Sequence, residues 1–315
     1  MNEFIHLPHF RINDSQILFL DKYVYLDFAT KIEIDYPLHK KVLLDEGILI
    51  EKRKIEKGED GEKILILEPH PDDIALSCGG YVLTSLKKGA SIKVINLFSR
   101  SPLSTFPWRE LVSISEEEYE SLRLQESFIA IKQYLGLSFK SFKLPLALKR
   151  SHLSPFEQLE ESDKTLEDYL YGAITEELGM DNYSTLVAPL SVQNHIDHVL
   201  SYNVAKKIKQ ENKNIKLVLY EDMPYSRNQL AFSKKMDELK TQANFQANYI
   251  LIRDFVDYIA DLISIYRSQF DDINRTQMLA IIKEDARKIA SEGKSSGEDI
   301  ENEFYQRVLE VNEIK

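Results

Sequence analysis

Two short stretches of the chain concentrate side chains that can do chemistry: Pro69-His70-Pro71-Asp72-Asp73 and His195-Ile196-Asp197-His198. Of the seven histidines in the sequence, three fall in these two stretches. His70 and Asp73 stand three residues apart and converge on one point when the backbone turns between them. An imidazole nitrogen paired with a carboxylate oxygen suits Zn²⁺, and Fe²⁺ or another divalent first-row ion accepts the same donors. His195 and His198, also three apart, share one helical face. A ligand from this pair completes three protein donors and leaves a coordination position open, the arrangement of a catalytic zinc. Asp72 then points elsewhere, free to act as a base on water, and Asp197 is placed to orient an imidazole. Either stretch alone also reads as an acidic helix start, its carboxylates favoured by the positive end of the helix dipole. Two such turns at equivalent points of one sheet favour the metal site.

Those turns need a scaffold, and the chain from residue 63 supplies strand–helix alternation. KILILEP at 63–69 is a continuous apolar run, as expected for a strand covered on both faces. A helix at 75–88 ends at Gly89, and a strand follows at 91–98. A long helix at 115–134 stops at Gly136, followed by a strand at 139–144 and a helix at 166–178 closed by Gly179. A buried strand at 185–189, a helix at 195–210 and a strand at 216–221 continue the pattern. The alternation predicts an α/β, Rossmann-like, mostly parallel sheet with helices on both faces. Right-handed crossovers then put the chemistry in the crevice at the carboxyl ends of the strands. Pro71 fixes the first turn and is placed to start its helix. Beyond this core the pattern predicts a strand at 248–253, helices at 255–270 and 276–290, a loop at 291–297 and a final helix at 301–311. Short β runs at 17–20, 23–28 and 31–34 precede a charged linker at 51–63. The expected organisation is an N-terminal β-rich appendage (1–60), a catalytic α/β domain (61–270) and a C-terminal helical extension (271–315).

With PHPDD running into LSCGG and followed later by HIDH, the chain resembles the PIG-L/LmbE-like family of metal-dependent N-acetylglucosaminyl deacetylases. Arg123, Glu126, Ala130, Leu135 and Gly136 in LRLQESFIAIKQYLG reproduce that family's RxxE…A…LG pattern. YEDMPYS (Tyr220–Ser226) resembles a YEDLPYA stretch of one branch, and Tyr266-Arg267-Ser268-Gln269 resembles its YxSQ ending. The resemblance spans about residues 63–270. It implies that His70, Asp73 and His198 bind the metal and that Asp72 is the general base. His195 would stabilise the oxyanion or protonate the leaving amine, oriented by Asp197, and Arg123 would contact substrate. Gln193 stands where some members carry a tyrosine, which leaves Tyr220 or Tyr225 as substitutes. Ile74 replaces a frequent glutamate at a variable place. The implied reaction is hydrolysis of an N-acetylated, GlcNAc-containing sugar by water that a Zn²⁺ ion activates.

The remaining sequence bounds these expectations. A net charge of −11 over 315 residues argues against a sequence-independent nucleic-acid binder and against docking on anionic lipid. Apolar residues at 43% and charged residues at 29% describe an ordinary globular chain with no run long enough to span a bilayer. One cysteine, Cys78, excludes an intramolecular disulfide framework; with no signal-peptide pattern, the expected location is cytoplasmic. Cys78, Gly79 and Gly80 read as close helix–strand packing, and His6, His9, His39 and His152 as structural or surface residues. Trp108, in the loop after the second strand of the core, is placed to stack on a sugar face or to anchor that loop. The expected partner is a small N-acetyl sugar or glycoconjugate, and a homo-oligomer is compatible with the sequence. Two other readings use the same turns: an amidase acting on another acylated amine, and a catalytically idle member that binds a glycan.

Overall fold

A computed structural model describes residues 4–6, 10–13, 16–19, 22–24, 49–56, 58–59, 61–100, 115–150, 152–270, 275–293 and 304–315. Near the N-terminus, β1 (Phe4–His6) pairs antiparallel with β5 (Leu49–Glu51). Strands β2 (Phe10–Asn13), β3 (Gln16–Phe19) and β4 (Lys22–Val24) form a second antiparallel sheet. The strand expected at 31–34 lies outside the described residues. Ile50 is buried in the main core, and Arg53 Nε donates to Asp261 Oδ2 (2.9 Å), which ties this segment to the domain that follows.

Strand β6 (Lys63–Glu68) shows why its run is continuously apolar. Ile64 and Ile66 enter one core and Leu65 and Leu67 the opposite one, all fully buried. It is joined in parallel by β7 (Ser91–Asn96), β8 (Ser138–Ser141), β9 (Thr185–Pro189) and β10 (Lys216–Tyr220). Strands β11 (Ala243–Leu251) and β12 (Tyr305–Ile314) add antiparallel, giving the order β11-β12-β10-β9-β6-β7-β8. The α/β, mostly parallel architecture expected from the sequence is therefore present.

Helices cover both faces. On one lie α1 (Gly79–Lys87), entered through a π-helical turn at Ile74–Cys78, and α2 (Glu116–Ser127), continued by a π segment at Phe128–Tyr134. On the other pack α3 (Glu161–Asp181), α4 (Ile196–Glu211) and α5 (Gln229–Gln242). Then α6 (Val256–Ser264), the short α7 (Arg267–Phe270) and α8 (Arg275–Gly293) follow in sequence, α6 and α8 completing the first face. Helix α5 is not among the expected elements. Pro71 sits in the turn ahead of the helix rather than at its start.

The largest correction concerns the C-terminus. The helix expected at 301–311 is strand β12, inserted between β10 and β11 with Leu219↔Leu309 and Ala247↔Leu309 in register. Val308 and Leu309 drop into the two opposite cores, so pairing on both edges and burial on both faces override a local pattern that also fits a helix. The chain end is thus part of the main sheet, not a helical extension. No helix among the described residues is long and apolar enough to cross a membrane.

From β6 the chain winds outward through β7 and β8, then returns to β9 on the other side of β6 and continues to β10. The winding reverses between β6 and β9. Their carboxyl ends open the crevice in which sheets of this kind place their chemistry.

Candidate metal centre

Because β6 and β9 are hydrogen-bonded neighbours, the PHPDD and HIDH turns that follow them deliver their side chains to one place. Within the first turn, Asp72 has φ +105°, a conformation that costs a non-glycine residue about 1–3 kcal/mol and is held only where surroundings enforce it. Arg123 from α2 does so, its Nη2 donating to Pro71 O (2.7 Å) and to Asp72 Oδ2 (3.2 Å). That helix is pinned in turn, because Ser268 donates through its backbone N–H (2.7 Å) and hydroxyl (2.6 Å) to the Glu126 carboxylate.

Asp73 turns the other way. Its Oδ2 accepts the His70 backbone N–H (2.7 Å) and stands 3.7 Å from His70 Nδ1 and 3.4 Å from His198 Nε2. Those two ring nitrogens are 3.2 Å apart. Donors held at ~2.0–2.2 Å by one tetrahedral ion stand roughly 3.3–3.6 Å from each other, so this triangle of two nitrogens and one oxygen has the size a first-row divalent ion requires. His195 is close by: one nitrogen from each of His70, His195 and His198 lies within 4.8 Å of the others.

Behind the triangle, each imidazole is oriented by a buried carboxylate. His70 Nε2 meets Asp197 Oδ2 (2.9 Å), and His198 Nδ1 meets Asp222 Oδ1 (2.6 Å), which aims the remaining nitrogen of each ring at the triangle. Asp222 is itself fixed by the Val192 N–H (2.8 Å). Asp197 Oδ1 lies 2.9 Å from Arg150 Nη2, which is 3.2 Å from Asp163 Oδ1, while Asp163 Oδ2 meets His152 Nε2 (2.8 Å). A buried chain of alternating basic and acidic side chains thus runs from His152 to His70.

The electrostatics favour positive charge at the triangle. Burial opposes a proton on His198, yet Asp73 and Asp222 outweigh it and lift this group to about 9. Burial pushes the Asp72 carboxyl up to about 8 against the pull of Arg123. For Asp197, burial favours the neutral acid, but the His70 hydrogen bond and the charges of His70 and Arg150 hold it well below the usual carboxylate range. His195 is driven down to about 2 by burial and by the neighbouring His70 and His198, so its ring is neutral. The Asp197 N–H points at His195 Nδ1 (3.3 Å), which leaves the ring proton on Nε2. Below the turn, burial holds Glu68 well above the carboxylate range, and its Oε2 accepts from Asn96 Nδ2 (3.1 Å).

His70, Asp72, Asp73, Arg123, His195, Asp197, His198 and Tyr225 are brought together here. Several expected roles change. The Asp197 carboxylate orients His70, not His195, because the ring within its reach comes from the neighbouring strand's turn. Arg123, 4% exposed, has its Nη2 committed to Asp72 and Pro71, so it holds the turn that carries Asp72. Tyr220 is fully buried and donates to Leu67 O (3.0 Å), which removes it from any substrate surface. Tyr225 stacks edge-on against His198, with ring centroids 5.6 Å apart. Trp108 lies outside the described residues. Cys78 is buried in the core. His152, expected to be structural or at the surface, is structural: it is buried and its Nε2 meets Asp163 Oδ2. Sequence reasoning missed Asp222, Arg150, Asp163 and Glu68; for Asp222 the signal was present in the YEDMPYS stretch.

Residues 65–209 match the family model described as PIG-L, GlcNAc-PI de-N-acetylase. The 2'-N-acetylparomamine deacetylase of Streptomyces fradiae is 29% identical over 172 residues, a match spanning 52% of this chain and 58% of that relative. Among solved structures, a deacetylase of the teicoplanin biosynthesis pathway aligns with TM-score 0.63 at 19% identity, over 79% of this chain and 97% of that one. A zinc-inhibited form of teicoplanin deacetylase aligns with TM-score 0.60 at 17% identity, over the same shares of the two chains. At these identities the structures establish a shared fold.

Proposed function

We propose that the chain is a metal-dependent N-deacetylase that removes the acetyl group from an N-acetylated amino sugar. The observation that carries this reading is a donor triangle with a buried carboxylate, Asp72, at its edge and not spent in it. His70 Nδ1, Asp73 Oδ2 and His198 Nε2 would hold the ion, and their donor set suits Zn²⁺ or a related divalent metal. When bound, the ion supplies Lewis acidity, lowering the pKa of water and polarising a carbonyl. The family description and the Streptomyces fradiae relative, a deacetylase of an acetylated amino sugar by its name, support the substrate class.

The chain's own residues divide the work. Asp72, steered by its left-handed backbone and by Arg123, takes a proton from the attacking water and delivers it to the departing nitrogen. His195, neutral with its proton on Nε2, donates a hydrogen bond to the oxygen on which negative charge develops. Asp197 and Asp222 keep His70 and His198 facing the ion. Water and amide are thereby converted to acetate and a free amine.

Asp72→Asn tests the reading, because it preserves shape and metal donors but removes the base. The expected result is unchanged metal content with turnover lowered about 10²- to 10⁴-fold. Near-wild-type turnover in that variant would refute the assignment.

A further inference from the structure

Between β8 and the first turn of α3, residues 145–150 and 152–163 are fastened to the HIDH turn at three points. Ala147 N–H donates to Asp197 Oδ2 (3.2 Å), Arg150 Nη2 lies 2.9 Å from Asp197 Oδ1, and Pro155 O accepts the Ile196 N–H (2.8 Å). Lys149 pairs with Glu116 and Glu120 of α2, the helix that carries Arg123. Two consecutive side chains thus reach the supports of both chemistry-bearing turns.

Of these contacts, the one made by Arg150 bears on a metal donor. Asp197 is fully buried and gives one oxygen to His70 Nε2 (2.9 Å) and the other to Arg150. The terminal torsion of an aspartate is broad, so contacts on one oxygen leave the carboxylate plane loosely set. A cation on the second oxygen fixes that plane, and with it the direction in which His70 is held.

Arg150 has little freedom of its own. Its Nη1 donates to Pro145 O (2.8 Å), and its guanidinium lies over the Phe98 ring, 5.2 Å from the centroid. Phe98 in turn faces the His70 ring, with centroids 6.5 Å apart. On the far side Arg150 Nη2 stands 3.2 Å from Asp163 Oδ1. Asp163 is anchored by the start of α3, where its Oδ2 accepts the Glu160 N–H (2.9 Å), and by His152 Nε2 (2.8 Å).

We infer that Arg150 is a positioning residue: anchored by Asp163 and Pro145, it locks the Asp197 carboxylate and so keeps His70 Nδ1 aimed into the donor triangle. This rests on the metal-centre reading above. A residue serving only the fold would change stability and leave metal affinity alone. One that acts through Asp197 changes affinity, and does so only while Asp197 carries its charge.

Competition with a chromogenic chelator measures Zn²⁺ affinity in the wild type, Arg150→Gln, Asp197→Asn and the double variant, and circular dichroism of the metal-free proteins reads the fold. Arg150→Gln should weaken Zn²⁺ binding about tenfold in the wild-type background and less than about threefold in the Asp197→Asn background. The visible absorption of the Co²⁺-loaded protein, which reports ligand geometry, should shift in Arg150→Gln. Affinity within about threefold of wild type in folded Arg150→Gln, unchanged Co²⁺ bands, or the same tenfold loss in both backgrounds would overturn the inference and leave the deacetylase reading standing. If Arg150→Gln does not fold, Arg150→Gln combined with Asp163→Asn removes the cation together with its outer carboxylate and takes its place in the comparison. The same loss then supports the inference, and its absence overturns it. A wild type that takes up neither Zn²⁺ nor Co²⁺ overturns the metal-centre reading and this inference with it.

Discussion

Asp197→Asn is the sharpest perturbation of the supporting shell, because it keeps the shape of the side chain and removes its charge. In the native site Asp197 is fully buried; its Oδ2 meets His70 Nε2 (2.9 Å) and the Ala147 N–H (3.2 Å), and its Oδ1 faces Arg150 (2.9 Å). A hydrogen bond to a charged group contributes about 1.5–3 kcal/mol net. Losing the one on His70 weakens that imidazole as a ligand, and carboxylates in this position are worth about 10- to 100-fold in metal affinity. Arg150 keeps Asp163 as a partner, so the loss of fold stability stays below the 3–5 kcal/mol typical of a fully orphaned buried charge. Competition between the metal-free protein and a chromogenic chelator reads the affinity, and circular dichroism of the metal-free variant reads the fold. Metal affinity within about threefold of wild type in a folded Asp197→Asn protein would refute the claim that Asp197 orients a ligand.

Other outcomes follow from neighbouring features. A Cβ on Gly80 would meet Ile252 Cγ2 at 2.3 Å and Gln306 Oε1 at 2.9 Å, so Gly80→Ala should lower stability by about 1–3 kcal/mol in a denaturant titration. Burial of Glu177 opposes its charge, but Lys140 and Lys93 outweigh this and lower its pKa, so its contribution is present above the unfolded value and lost as pH falls through the folded one. Glu177→Gln should therefore cost stability near neutral pH and flatten the loss on acidification below about pH 4.5, measured by thermal melts across pH. A metal at a hundredfold its Kd adds about 2.7 kcal/mol of stability, so chelation should lower Tm by several degrees and re-addition restore it.

The chemistry was easier to read from sequence than its support. His70, Asp73 and His198 lie in two turns whose residue types and positions after buried strands announce them, and the strand–helix alternation places those turns at the reversal of winding. Partners across the sheet are another matter. Asp197 looks in sequence like the companion of His195, two residues away, but it meets His70, 127 residues distant, because β9 lies beside β6. Asp222 becomes a partner of His198 only through the register of β10 on β9. Tyr220 carries a hydroxyl that suggests chemistry, and only its burial under the sheet end shows that it serves the backbone of Leu67. Strand β12 reads locally as a helix because QRVLEVNEI spaces its apolar residues ambiguously, and its two partners decide the outcome. Buried chains such as His152–Asp163–Arg150–Asp197 leave no local spacing to recognise.

The most direct measurement is the release of acetate and free amine from N-acetylated amino sugars by the protein reconstituted with Zn²⁺, Co²⁺, Mn²⁺ or Fe²⁺, with and without chelator. The expected result is equimolar acetate and amine, abolished by chelator and restored by metal. One equivalent of bound metal with no amine released from any acetylated sugar would contradict the deacetylase assignment.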